Sequence, residues 1–471
     1  MGTSAGEGAT RLPTFLKASW GVGGLGATSM LYLINMFVMF FLIRYVGVPA
    51  AIVGTLFAVT RFYDAAIDPL IGSLSDRTAS RWGRRRPWML AGALLSPLAC
   101  VMVFNLPAGA PGPLLYAAAA LALLLWCTGY SLFSVPYAAQ GSEMTDDYRE
   151  RASVMSWRTF FVYVSGIVIT AGVPQLVEIL GNGRDAYATT SWVAALVIGA
   201  TMLWVVAFTG RARVIERSTE ILPSYEAFRT ALANRPFVLI LVTKMTLQLG
   251  TAFIGASMMF FITEVMQRGG STMALFGMVS NLVGVAAVPV WSRVLRRVER
   301  RPLYLALMLL HALGYVSWYF ATPSEPQAIF IARAMLLGAL GAGSVLIVMT
   351  MLADTMEYDR LTTGQRREGT FVGVFELMQT TSFVVAPLLT GFAFQAAGLI
   401  PGEAGRGAQP ESALDMIRLA VSVVPAVCCA IGMLMMTLYR LDARRLAELR
   451  AAAPQAAGGA AVGASQPAAA G

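Results

Sequence analysis

The stretch RFYDAAIDPLIGSLSDRTASRWGRRRPW, residues 61–88, puts Arg61, Asp64 and Asp68 inside an apolar run where hydrocarbon is expected. The chain around it has 471 residues, 57% hydrophobic and only 13% charged, with mean hydropathy +0.65. Soluble domains are about one quarter charged, so water is not the main solvent here. Apolar stretches of about 20 residues, enough to cross a bilayer, recur along its whole length. They fall near 18–44, 50–75, 88–107, 113–139, 153–178, 188–209, 236–264, 271–292, 302–321, 327–353, 370–397 and 412–439. The expected class is an all-α membrane protein with twelve transmembrane helices.

The opening segment MGTSAGEGATRLPTFLK lacks the charged head and short apolar core of a cleavable leader. Cys100, Cys127, Cys428 and Cys429 all lie in spans and read as small packing residues without metal-ligand spacing. The net charge of +9 is topological. With the termini and every even-to-odd connection on one side, that side collects about 26 of the 35 Lys and Arg. The opposite loops hold only Arg44, Arg184, Arg268 and Arg406. Positive-inside bias then puts both termini in the cytoplasm, in a bacterial inner membrane, and argues against a nucleic-acid partner.

The two halves echo each other. SRWGRRRPWML enters the third span as RRVERRPLYLA enters the ninth, each a basic cluster closed by Arg-Pro at a first helical turn. SEMTDDYRERA after the fourth span matches ADTMEYDRLTTGQRREG after the tenth. Pro87 to Pro302 and Glu143 to Asp354 are both separated by roughly 210–215 residues, the interval of a parallel six-span repeat. The expected organisation is an N-terminal segment 1–17, a six-helix bundle 18–210, a cytoplasmic linker 211–235, a second bundle 236–440 and a disordered tail 441–471. Two such pseudo-symmetric bundles enclose a midplane cavity, an architecture used for secondary transport.

Arg61, Asp64 and Asp68 are three and four residues apart and project from one helix face. Asp64 lies about 20 Å along its span, near the midplane. Each such charge costs about 2.5–3.5 kcal/mol at the bilayer centre, so the three together oppose insertion by about 8–10 kcal/mol before pairing. They must face the interior. One reading is a packing salt bridge, with Arg61 on one aspartate and the other protonated. The other is a cation site, because two acids against one base leave net negative charge and desolvation cancels much of a buried pair's attraction. Na⁺ would need several oxygens, and Ser131 and Ser134 in the fourth span offer hydroxyls; H⁺ would need only a carboxylate. In the following segment Gly72, Asp76, Arg77 and Arg84 form an ordered Gly-x-x-x-Asp-Arg and basic loop that positive-inside anchoring alone does not explain.

Asp64-Ala-Ala-Ile-Asp68-Pro69, Arg81-Trp82-Gly83-Arg84, Pro87-Trp88 and the later Thr363-Gly364-Gln365-Arg366-Arg367-Glu368-Gly369 resemble the glycoside–pentoside–hexuronide:cation symporters of the major facilitator superfamily. The resemblance covers roughly 14–440. It implies the major facilitator fold, Na⁺- or H⁺-coupled uptake of a small organic solute, commonly a sugar, and action as a monomer without a cofactor beyond the coupling ion. It implies cation ligands at Asp64, Asp68 and Ser131, and a substrate-lining arginine at Arg158. It also implies a cytoplasmic gate from Gly72, Asp76, Arg77 and Arg84 in the first half, with Asp354, Asp359, Arg366 and Arg367 in the second. The chain departs from the family where Thr28 and Ser134 replace acids, Ala138 replaces a stacking tryptophan, and Gln379-Thr380 replaces Gln-Lys. A carrier of an amphipathic lipid-like solute on the same fold therefore stays open, as does a sensor that has lost transport.

Lys244 and Glu376 lie within spans seven and eleven, and Lys244 is placed to replace the missing span-eleven lysine or to snorkel. With Thr28, Arg61, Ser134, Arg158, Gln379 and Thr380 they complete the expected substrate cavity. Arg333 reads as a cavity or surface residue, and His311 as a packed neutral histidine. Asp-x-x-x-Asp also occurs in membrane prenyltransferases that hold Mg²⁺-diphosphate. Here the pair lies at midplane depth, without a second Asp-rich repeat, so an enzyme is not expected.

Overall fold

The computed structural model describes residues 12–107, 109–145, 147–210, 225–364, 367–405, 407–441, 446 and 448–449. Among them twelve helices are long and apolar enough to cross a membrane. They are α1 (Thr14–Arg44), α2 (Ala50–Arg77), α3 (Arg86–Phe104), α4 (Gly112–Glu143), α5 (Glu150–Ile179), α6 (Arg184–Phe208), α7 (Arg235–Val265), α8 (Gly270–Val294), α9 (Arg300–Phe320), α10 (Gln327–Thr363), α11 (Gly369–Ala396) and α12 (Glu411–Thr437). No strand occurs among the described residues. Each expected span corresponds to one helix, but α4 and α10 continue well past the apolar ends expected at 139 and 353. Their last turns are helical and polar, and hydropathy registers only the apolar part. Of the segments outside the bundles, the linker contributes one described helix, Tyr225–Ala233, packed on α7 and α11; residues 1–11, 211–224 and 450–471 lie outside the described residues.

Proline sets many of the boundaries. Pro13, Pro49, Pro111, Pro326 and Pro410 stand immediately before α1, α2, α4, α10 and α12 in extended conformation. A fixed φ and a missing N–H cost nothing there, where no i−4 carbonyl waits. Inside α2, Pro69 has no N–H to give the Ala65 carbonyl, one turn back beside Asp64. The first helix of each half also loosens: α1 carries a π turn at Ile34–Val38 and α7 one at Phe261–Val265.

The packing within the halves is matched pair for pair. α1 lies on α5 and α6, α2 on α4, and α3 on α4 and α6; α7 lies on α11 and α12, α8 on α10, and α9 on α10 and α12. The halves meet along α2–α11, α5–α8 and α1–α7. At the face away from the termini this seam is tight. A Cβ added at Gly54 of α2 would fall 2.9 Å from the Pro387 carbonyl, and one at Gly270 of α8 2.7 Å from the Pro174 carbonyl. Only glycine allows backbones this close. There too, Arg44 pairs with Glu264 at 3.0 Å, both buried, and also bonds the Gly402 carbonyl. Ala51 N–H donates to Gln395 Oε1 at 3.0 Å, and Phe40 meets Phe260 edge-on at 4.9 Å. Toward the face that carries the termini, Arg158 of α5 and Glu376 of α11 are exposed. Charged groups inside spans need water or a partner, so these two mark the polar part of the seam on that side.

Arg333 and His311 have structural partners. Arg333 pairs with Glu325 at 2.8 Å and lies 5.3 Å over Trp318, which removes it from the cavity. His311 is buried, with its ring 5.7 Å from Tyr315. Gly338 and Gly343 of α10 pack against Ser280 and Trp291, while Gly341 faces open space. All four cysteines are free and buried.

Candidate cation and solute site

Arg61, Asp64 and Asp68 lie on the interior face of α2, against α4 and α1. Ser131 of α4 is fully buried and its hydroxyl donates to Asp64 Oδ1 at 2.8 Å. Arg61 Nη1 stands 3.6 Å from Asp64 Oδ2. That distance is an ion-pair approach beyond hydrogen-bond range. The second guanidinium nitrogen, Nη2, instead donates to Asn35 Oδ1 on α1 at 3.3 Å. Asp68 is half-buried, and its Oδ1 is enclosed with no hydrogen-bond partner. Cys127 and Tyr130 of α4 lie within the field of the same carboxylates and Arg61, and Arg158 also acts on Tyr130. The guanidinium therefore offsets Asp64 partially and leaves Asp68 open. What gathers here is two carboxylates and one hydroxyl, with one orphaned carboxylate oxygen, the chemistry of a small hard cation or a proton.

The other expected cavity residues are distributed around this site. Thr28 and Ser134 are half-buried on α1 and α4. Lys244 is buried on α7, and Glu376 of α11 is an acid whose charge acts on it. The side chains of Gln379 and Thr380 lie outside the described residues. Next to Ala138, Tyr137 is buried and already stacked on Trp20 at 4.6 Å, with its hydroxyl on the Trp20 carbonyl at 3.1 Å. It is a packing ring, not a free sugar platform.

On the terminus-bearing face, each half carries an ionic latch. Arg85 reaches Asp76 at 2.9 Å and Glu143 through Nε at 3.0 Å, and Arg84 reaches Glu143 at 2.7 Å. Arg85, absent from the expected set, is the centre of this cluster, and the expected Arg77 is exposed outside it. Gly72 faces Val135 of α4. In the second half Arg300 pairs with Asp354, and Asn234 Nδ2 donates to Asp359 Oδ1 at 3.2 Å. Arg367 sits at the entry to α11 with its Nε buried and unbonded; Arg366 lies outside the described residues. The repeat that links Glu143 to Asp354 also links Arg85 to Arg300, a signal present in the sequence but not used. Asn35 was missed as well, although it is one amide inside the apolar run LYLINMFVMFF.

A family model described as MFS/sugar transport protein matches residues 19–443. The chain belongs to that family. It is a transporter of the glycoside:cation symporter type within the major facilitator superfamily, and not an enzyme. An inner membrane symporter of Escherichia coli (strain K12) is 26% identical over 416 residues, covering 88% of each chain. The isoprimeverose transporter of Lactiplantibacillus pentosus is 25% identical over 445 residues, covering 93% of this chain and 91% of that one. Among solved structures, the nucleoside transporter NupG superposes with TM-score 0.63 at 12% identity, over 89% of this chain and 99% of that one. A bacterial homologue of the lysosomal transporter Spinster gives 0.63 at 16% identity, over 92% and 96%. These establish the fold: two six-helix bundles of the major facilitator type in a multi-pass membrane protein.

Proposed function

We propose that the transporter carries a small organic solute, a sugar or glycoside, together with Na⁺ or H⁺, by alternating access between its two bundles. The carrying observation is the buried, unbonded Asp68 Oδ1 beside Asp64 and the Ser131 hydroxyl. Cation binding there neutralises the cleft between the bundles, favours solute binding, and lets the loaded carrier rock. The sugar reading is supported by the isoprimeverose relative and by the symporter type of the family. Arg158, Thr28, Ser134, Lys244 and Glu376 are the groups offered to the solute. The arginine excess on the terminus-bearing face supports a cytoplasmic location for both termini, and the Arg85 and Arg300 latches are then the cytoplasmic gate.

Reconstitution into proteoliposomes tests this. Uptake of isoprimeverose and a panel of glycosides is measured under an imposed Na⁺ gradient and, separately, an imposed pH gradient. At least one gradient is expected to drive accumulation above the equilibrium level. Asp68→Asn is expected to abolish accumulation while leaving downhill exchange. Accumulation that persists undiminished in Asp68→Asn removes the coupling claim.

A further inference from the structure

The geometry points to Asn35 as the residue that holds Arg61 off the carboxylates and so keeps the cation site open. This rests on the cation-coupled reading of the Asp64–Asp68 site. Arg61 has two acceptors within reach: Asp64 on its own helix, at the longer ion-pair approach of 3.6 Å, and Asn35 on α1, hydrogen-bonded at 3.3 Å. A guanidinium is donor-only, so the Asn35 side chain must turn its oxygen toward it. With Nη2 turned there, only Nη1 approaches Asp64, and the planar fork is held off the bidentate arrangement that arginine and carboxylate otherwise prefer. Take Asn35 away and the nearest acceptor left is Asp64. The fork then closes on it, and the negative charge that attracts a cation is spent internally.

The location of Asn35 adds a second element. It lies in the π turn Ile34–Val38, an insertion in the helical ladder of the kind found at functional positions. Its backbone carbonyl lies at the α1–α7 seam, where a Cβ added at Gly255 would meet it at 3.5 Å. One residue thus touches the cation site through its side chain and the opposite bundle through its backbone. When a cation takes up the carboxylates, Arg61 is left with Asn35 as its principal partner, and the load falls on the turn of α1 that borders α7. Asn35 is a positioning residue: it acts on the cation through Arg61 and touches neither carboxylate.

The test uses purified full-length protein and the cation alone. The melting temperature is followed while Na⁺ is titrated at fixed pH, and while pH is titrated without Na⁺. Asn35→Ala is expected to raise the half-maximal Na⁺ concentration about ten-fold, equivalent to about 1.4 kcal/mol, or to lower the pH midpoint by about one unit. Asn35→Asp, which offers Arg61 a stronger acceptor, is expected to match wild type or respond at lower concentration. In an Arg61→Gln background, Asn35→Ala is expected to move the midpoint less than about two-fold, because the interaction it removes is already gone. A merely structural asparagine would suffer from both substitutions alike. The inference is overturned if Ala and Asp weaken the response together, or if the Ala effect persists without Arg61. A wild-type protein that responds in neither titration overturns the coupling reading itself; a responsive wild type confines any failure to Asn35.

Discussion

Helix α2 and its counterpart α8 occupy equivalent places in the two bundles, and both carry a proline at the same register, Pro69 and Pro289, about 220 residues apart. Each packs on the fourth helix of its own half and crosses to the other half, α2 to α11 and α8 to α5. At that offset Arg61 corresponds to Asn281, Asp64 to Gly284 and Asp68 to Val288. Asn281 closes its own hydrogen bond, donating to the Gly277 carbonyl at 2.8 Å within α8. The bundle can therefore be built without charges at these positions. The three charges of α2 are an asymmetric addition that raises the insertion cost, and the fold alone gives no reason for them.

Giving α2 the residue that α8 uses is expected to have the largest effect. Asp68→Val should abolish gradient-driven accumulation in proteoliposomes while leaving the melting temperature unchanged or higher, since a desolvated charge has been removed. A large loss of folded protein would mean that the charge serves packing and that the two helices do not differ in the way described. The reverse exchange comes next. Val288→Asp should lower the yield of folded, membrane-inserted protein by the cost of one intramembrane carboxylate, about 2.5–3.5 kcal/mol, and should create no second cation response. An added Na⁺ or pH dependence there would show that α8 already has a latent site.

The latches sharpen the comparison at smaller scale. Arg85 is buried between two carboxylates, whereas the Arg300 side chain is 37% exposed with one. Charge-assisted bonds in buried settings contribute about 1.5–3 kcal/mol and exposed pairs about 0.2–1 kcal/mol. Arg85→Ala should therefore depress thermal stability more than Arg300→Ala, and added salt should narrow the wild-type margin mainly through Arg300. Equal losses would mean that the second-half latch is held by partners beyond Asp354.

Much of this was legible in the chain because membrane physics writes it there. A run of about 20 apolar residues must be a helix in lipid, where every backbone group needs an internal partner. Spacing by three and four put Arg61, Asp64 and Asp68 on one face without coordinates. The family resemblance marked Ser131 as a hydroxyl ligand for a cation; in the fold its hydroxyl donates to Asp64 Oδ1 at 2.8 Å. Arg77 and Arg85 show the limit. Arg77 is the last residue of α2 and Arg85 immediately precedes α3, and only the turn between them determines which arginine folds back onto Asp76 and Glu143. Tyr137 shows another: this aromatic beside Ala138 is taken up by Trp20, a neighbour more than a hundred residues away in sequence.

Sequence alone determined the solvent, the twelve helices, the twofold repeat and the presence of an acidic face on the second of them, because these follow from local composition and from periodicity along the chain. Tertiary structure alone decided which carboxylate is shared with Arg61, that Asp68 keeps an unbonded oxygen, that Asn35 takes the second guanidinium nitrogen, and which face of the seam is shut. Those outcomes depend on ångström-scale distances between helices far apart in the chain, and no periodicity within a single helix encodes a distance to another.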